Sequence, residues 1–305
     1  MQCKQKSNDL LRLLKTTVSL AIAVLLFFWV SGTTAFSVGP SLSGQELEPI
    51  ETMIQVGKYR MNFKVIKGGN LTILLESGGG NDSNEWNRMA PDLAQKTGAT
   101  VVSHDRAGLG KSDLPETPYD MREEIDWLWQ GLKQLELDKN LILVGHSYGG
   151  WLIRLMANDH PDAIRGMVFV DPFTTEFVDA LGVEYLDNHP MMGKLPFPTT
   201  HPETLTKVQR ALVRIVKEGL GPKVEVMRNT SVPKGIPVRI ITCGKGFLPK
   251  PEEREAWRQS HEQMAASIEG AVLRVAEQSS HMIPWSQPDI IIEAVTEIIN
   301  LIKKR

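Results

Sequence analysis

The sequence predicts an α/β fold: a mostly parallel central sheet with helices on both faces and an insertion over one end of it. Three observations predict this. Short apolar runs recur at residues 71–75, 100–103, 141–144, 167–170 and 238–242, the pattern of strands buried on both faces. Helical stretches separate several of them, at 85–97, 121–137 and 151–159, so successive strands need crossovers and run parallel. The run at 141–144 also leads straight into Gly145-His146-Ser147-Tyr148-Gly149-Gly150 and then a helical stretch, a strand–turn–helix junction.

The first elements lie in a different regime. Lys4, Lys6, Arg12 and Lys15 precede an uncharged run from 16 to 45 with an apolar heart at 18–30, followed by Thr33-Thr34-Ala35. Basic, then apolar, then small residues is the order of an export signal, with cleavage expected after Ala35. Extended through Phe36, the run reaches 21 residues, enough to cross a hydrocarbon core of ~30 Å. Residues 1–35 thus read as a signal peptide or as a retained N-terminal membrane anchor. An anchor with basic residues ahead of it puts the body outside the cytoplasm. The body is expected to be exported, periplasmic or secreted, or anchored on that side. Residues 36–48 read as a linker and 49–305 as one domain.

Within that domain, residues 49–56 and 59–66 alternate around Gly57-Lys58, an initial hairpin. Gly68-Gly69-Asn70 reads as a turn before the first buried strand. After residue 170 the rhythm breaks. The segment to Pro237 is rich in Pro, Met and Phe and turns helical at 203–218. It reads as a lid insertion, about 173–235, over the strand carboxyl ends, where α/β sheets bind ligands. Its Phe173, Phe177, Met191, Met192 and Phe197 either line an acyl pocket or pack on one another. A last strand at 271–275 and an amphipathic helix at 290–303 close the chain. Trp127 and Trp129, on a helix, read as packing residues.

Composition excludes several function classes. With 42% apolar and 23% charged residues the chain is not disordered. A net charge of −2 offers no basic face for nucleic acid. The two cysteines are Cys3, in the leader, and Cys243. The body therefore has no disulfide framework, and no Cys/His spacing suggests structural zinc. Cys243 reads as a small buried residue at a strand end rather than a reactive thiol.

The chemistry is expected at Ser147. In Gly-x-Ser-x-Gly between a strand and a helix, the serine occupies a strained turn that presents its hydroxyl at the helix N-terminus. Gly145 and Gly149 let strand and helix approach closely, and the helix dipole favours developing negative charge. The backbone N–H of Tyr148 points to the same place. Gly110-Lys111-Ser112 carries the end of a phosphate-binding loop, but that motif needs glycine at Asp105. A dinucleotide fingerprint from Gly108 needs glycine at Asp113. Asp105 and Arg106 read as a structural turn.

From about Pro49 to its end, the sequence resembles the α/β-hydrolase superfamily. Four motifs carry the likeness in order: Glu76-Ser77-Gly78-Gly79-Gly80-Asn81, Asp105-Arg106-Ala107-Gly108-Leu109-Gly110, the turn at Ser147, and Ser279-Ser280-His281-Met282-Ile283-Pro284. The resemblance implies a second oxyanion donor at the Gly79 N–H, although many members have His-Gly where this chain has Ser77-Gly78. It also implies a catalytic histidine at His281. The other histidines occupy different contexts: His146 beside the serine but directed away, His104 before a turn, and His160, His189, His201 and His261 at helix ends, in the lid or on the surface.

The acid stays open. Most members carry it after the strand ending here at Thr242, where the chain continues Cys243-Gly244-Lys245-Gly246-Phe247 without a carboxylate. Glu252, Glu253 and Glu255 follow at the start of a helix. Some families place the acid after the preceding strand, and there this chain has Asp171. The sequence-level expectation is a serine esterase acting on a small-molecule acyl substrate through Ser147, His281 and Asp171, with no metal or organic cofactor. Amide hydrolysis, acyl transfer or a lyase reaction would use the same residues. A binding protein on a hydrolase scaffold would need neither the serine turn nor the base.

Overall fold

The computed structural model describes residues 47–195, 197, 199 and 202–304. The export segment at 1–35, Cys3, most of the linker at 36–48 and His201 lie outside the described residues. Among the described residues, no helix is long and apolar enough to cross a membrane.

The hairpin forms as the alternation requires: β1 (Ile50–Val56) pairs antiparallel with β2 (Tyr59–Ile66) across Gly57-Lys58. There follow β3 (Gly69–Glu76), α1 (Ala90–Thr97), β4 (Ala99–His104), α2 (Met121–Gln134), β5 (Leu141–His146), α3 (Gly149–Asp159) and β6 (Ile164–Val170). Then come α4 (Thr175–Leu181), α5 (Val183–Asp187), α6 (Lys207–Glu218), α7 (Gly221–Arg228), β7 (Val238–Cys243), α8 (Pro251–Ser267), β8 (Val272–Ala276), α9 (Ile283–Ser286) and α10 (Pro288–Lys303). Eight strands of the described residues form one sheet in the order β1-β2-β4-β3-β5-β6-β7-β8. It is antiparallel from β1 to β4 and parallel from β4 to β8.

Strand alternation builds two cores. Leu141 and Leu143 face one core with Leu128 of α2 and Leu152 of α3. Ile142 and Val144 face the other, with Leu93 of α1 and Ile291 and Ile298 of α10. Both faces of these strands are thus apolar, which explains why they read as continuous runs rather than as alternation.

Several boundaries differ from the sequence reading, among them the end of α2, which stops at Gln134 rather than at 137. Gly69 and Asn70 belong to β3 rather than to a turn. Residues 85–97 are not one helix: a 3-10 turn at Ser83–Trp86, capped by Asp82, precedes α1, which starts beside Pro91. Proline is tolerated in a first helical turn but not in a helix interior. The helix expected at 203–218 is split into a 3-10 turn at Pro202–Thr204 and α6, which begins at a Thr206–Gln209 capping box.

The segment between β6 and β7 lies against the loops after β3 and β4. Lys207 Nζ donates to the carbonyls of Gly110 (2.9 Å) and Ser112 (2.7 Å), while Leu212 approaches Gly80 and Ala211 approaches Gly108.

Candidate active site

Ser147 occupies the turn between β5 and α3 at φ 52°, a left-handed conformation that costs a non-glycine residue energy. Its N–H donates to Val170 O at 3.0 Å. A Cβ on Gly145 would lie 2.5 Å from Gly149 O, and one on Gly149 would lie 2.5 Å from Glu76 O. Both neighbours are backbone atoms, so the spacing of glycines around the serine is a steric requirement.

The structure brings Ser147, His281 and Asp171 together. Ser147 Oγ lies 3.0 Å from His281 Nε2, and His281 Nδ1 lies 2.7 Å from Asp171 Oδ2. Asp171 follows β6, beside the strand that carries the serine, and His281 follows β8. With Nδ1 donating to Asp171, Nε2 is left to accept from the serine hydroxyl. Burial pushes the His281 pKa below its ordinary value, against the pull of Asp171. Burial would raise the Asp171 carboxyl, but the His281 hydrogen bond and charge outweigh it and hold the group well below the usual carboxylate range.

Asp171 is itself held tightly. It is fully buried, and its Oδ1 accepts from the Cys243 N–H (2.9 Å) and from Trp257 Nε1 (3.0 Å). The strand that lacks an acid at its end therefore supplies a backbone donor to the acid on its neighbour. Glu252, Glu253 and Glu255 do other things. Glu252 is exposed, Glu253 caps α8 and contacts Tyr185 and His189, and Glu255 pairs with Arg258.

Tyr148 and Gly79 flank the serine on the side of the β3 loop: a Cβ on Gly79 would lie 3.6 Å from Tyr148 Cβ. The Gly78 N–H is taken by Glu85 Oε2 at 2.8 Å. Arg106, buried at 2% exposure, fixes the loop by donating to Glu76 Oε1 (2.7 Å) and Ser77 O (2.6 Å) and to Gly78 O. Asp105 accepts from Ser83 N–H, Lys111 N–H and Asn62. Both residues build the turn, as the sequence suggests.

Several residues escape the sequence reading. His261 is not at the surface: it is fully buried on α8, accepts from the Thr242 hydroxyl (2.8 Å) and donates to Pro172 O (2.7 Å), behind Asp171. Trp257, one helical turn earlier, is not among the expected site residues. A Trp-x-x-x-His spacing on a helix starting at Lys250-Pro251 is the available signal, but it does not name the partner. Phe173 and Phe177 pack on each other and on Trp151 of α3 and Trp257 of α8, in edge-on contacts at 4.9–5.8 Å. Met191 is exposed. Phe247 instead stacks on the His281 ring at 4.3 Å. Cys243 is half-buried, and burial followed by the charge of Asp171 pushes its thiol pKa up, which makes it a poor nucleophile. Trp127 packs in the core and Trp129 stacks on His160.

A family model described as the alpha/beta hydrolase fold matches residues 72–209. The uncharacterised protein YqjL of Bacillus subtilis is 24% identical over 228 residues, 75% of this chain and 83% of YqjL. A soluble epoxide hydrolase from Corynebacterium sp. is 29% identical over 116 residues, 38% of this chain and 39% of that enzyme. The solved structure of a thermophilic esterase from Thermogutta terrifontis superposes with a TM-score of 0.54 at 19% identity, covering 83% of this chain and 99% of the esterase. The chain has the α/β-hydrolase fold, and over residues 72–209 its sequence is similar to that family. An epoxide hydrolase and an esterase thus stand among its relatives and structural neighbours.

Proposed function

We propose that this protein is a serine hydrolase that cleaves carboxylic esters of small or medium acyl groups through a covalent acyl-enzyme. The observation that carries the reading is the continuous Ser147–His281–Asp171 hydrogen-bond chain, at 3.0 and 2.7 Å. In this reading His281 Nε2 takes the proton from Ser147 Oγ as that oxygen attacks the carbonyl carbon. The carbonyl π electrons move to oxygen, and the N–H groups of Tyr148 and Gly79 stabilise the oxyanion, each worth about 2.7–4 kcal/mol. The tetrahedral intermediate collapses, the ester C–O bond breaks, and His281 returns the proton to the leaving alcohol. Water then repeats the sequence on the acyl-enzyme and frees the acid. Asp171 keeps the imidazole in the required tautomer and balances its positive charge.

The test is a fluorophosphonate probe on the intact protein together with a panel of p-nitrophenyl esters of increasing chain length. Covalent labelling mapped to Ser147, with ester turnover, supports the reading; an unlabelled Ser147 in active protein overturns it. Product analysis with an added alcohol or amine separates hydrolysis from acyl transfer.

The same reading includes export of the catalytic body by residues 1–35, with membrane association if that segment is retained. Fractionation of cells and N-terminal sequencing test it: a mature chain starting at Phe36 means cleavage after Ala35, a membrane-bound full chain means anchoring, and a full-length chain in the cytoplasm overturns it.

A further inference from the structure

A second buried histidine–carboxylate pair lies behind the triad and takes no part in the steps above. His146 Nδ1 is ion-paired with Glu85, and both side chains are at most 1% exposed. His146 Nε2 lies 2.9 Å from the main-chain oxygen of His281. With Glu85 ionised both ring nitrogens face acceptors, a setting that the doubly protonated imidazolium satisfies. The direction of its pKa agrees: burial pulls it down, but the Glu85 carboxylate outweighs burial and raises it. The second Glu85 oxygen accepts the Gly78 N–H. Contacts therefore run without a break from the β3 loop through Glu85 and His146 to the His281 backbone. The two imidazole rings lie 4.7 Å apart.

We propose that His146, held by Glu85, is a positioning residue that ties the His281 loop to the Gly78–Gly79 loop and lays a fixed positive charge against the His281 ring. This rests on the roles given to Ser147 and His281 above. A cation beside His281 disfavours its protonated form, so the base stays free at lower pH. The other charged groups bearing on His281 are Asp171, from the end of β6, and Glu85, from the 3-10 turn after β3. Phe247, from the loop after β7, and Trp257, from α8, are uncharged. His146 faces Glu85, Asp171 and His281, and Glu85 faces His146 and Arg106.

The experiment is the rate of Ser147 labelling by a fluorophosphonate as a function of pH in the wild type, in His146→Gln and in the double variant His146→Gln/Glu85→Gln. The double variant avoids leaving a buried unpaired carboxylate. In His146→Gln the acid limb of the labelling rate is expected to move up by about one pH unit, with a smaller shift in the same direction in the double variant. The rate deficit should shrink at alkaline pH. A deficit of equal size at every pH, with the limb unmoved, overturns the proposal while leaving the triad reading intact. An unlabelled wild type overturns the triad reading itself. Imidazole 15N shifts of His146 in the wild type test the proposal without any variant: a cationic ring at neutral pH supports it and a neutral ring overturns it.

Discussion

Ser147 and Asp171 are both held at positive φ, 52° and 43°, at the carboxyl ends of neighbouring parallel strands, and their turns are hydrogen-bonded to each other. Ser147 N–H donates to Val170 O, and Phe173 N–H donates to Ser147 O, each at 3.0 Å. Such a conformation costs of order 1–3 kcal/mol per residue and persists only where the surroundings over-determine it. Here the β5–β6 pairing, with His146 opposite Val170, does so. One strained corner thus holds both the hydroxyl and the carboxylate, and the imidazole has only to reach across from β8.

The acid is separable by substitution. Asp171→Asn should lower kcat by about 10⁴, since an amide can stabilise the wrong imidazole tautomer. Glu252→Gln and Glu255→Gln should stay near wild-type activity. Glu253→Ala should lower the melting temperature through the loss of its hydrogen bond to the Lys250 N–H, worth about 0.5–1.5 kcal/mol. Steady-state kinetics and thermal melts on the four variants check this, and an intact kcat in Asp171→Asn contradicts it.

Trp257→Phe removes the indole donor at Asp171 Oδ1 and keeps most of the apolar packing. A hydrogen bond to a charged group is worth about 1.5–3 kcal/mol, so kcat should fall by roughly tenfold or more with KM little changed. A rise in KM at constant kcat would point to a substrate contact instead.

The His281 pKa is depressed by burial, and the neutral ring is the active form. The acid limb of kcat/KM should therefore lie below the ordinary histidine value of about 6.5. Asp171, whose carboxyl is held well below the usual range, stays ionised across that window and adds no limb of its own. A pH–rate profile with its acid limb above about 6.5 contradicts this.

Gly149→Ala puts a Cβ 2.5 Å from Glu76 O and 2.7 Å from Ser77 O. Backbone cannot yield cheaply there. Overpacking costs typically about 1–3 kcal/mol, and the same shift would move the β3 loop. Both the melting temperature and the Ser147 labelling rate should drop. Unchanged values would mean that the strand and helix are less closely packed than described.

Glu124 is buried on α2, 3.8 Å from Arg106. Burial raises its pKa to about 7, with Glu76 adding and Arg106 opposing. A carboxyl that holds its proton more tightly when folded contributes stability below its unfolded pKa of about 4.3, and that contribution is lost as pH rises towards about 7. Glu124→Gln should therefore gain stability relative to wild type as pH rises through this window, read as a difference in denaturation midpoints. A constant difference overturns the assignment.

Local patterns carry most of the fold. Apolar runs at β3 to β7, the Gly57-Lys58 hairpin and the closing helix are legible because side-chain period depends only on neighbours along the chain. Helix starts are less legible: Pro91 and the Asp82 cap decide where residues 85–97 break, and both signals are weak beside the apolar content around them.

The residues of the site divide in the same way. The turn chemistry around Ser147, the loop at His281 and an aspartate at the end of β6 are properties of the sequence itself, because strained turns and strand ends demand particular residue types. Which carboxylate meets His281, that Trp257 and His261 stand behind it, and that Glu85 pairs with His146 were settled only by tertiary structure. Those contacts join residues 19 to 110 positions apart, and their energies depend on burial and direction, which no local pattern encodes.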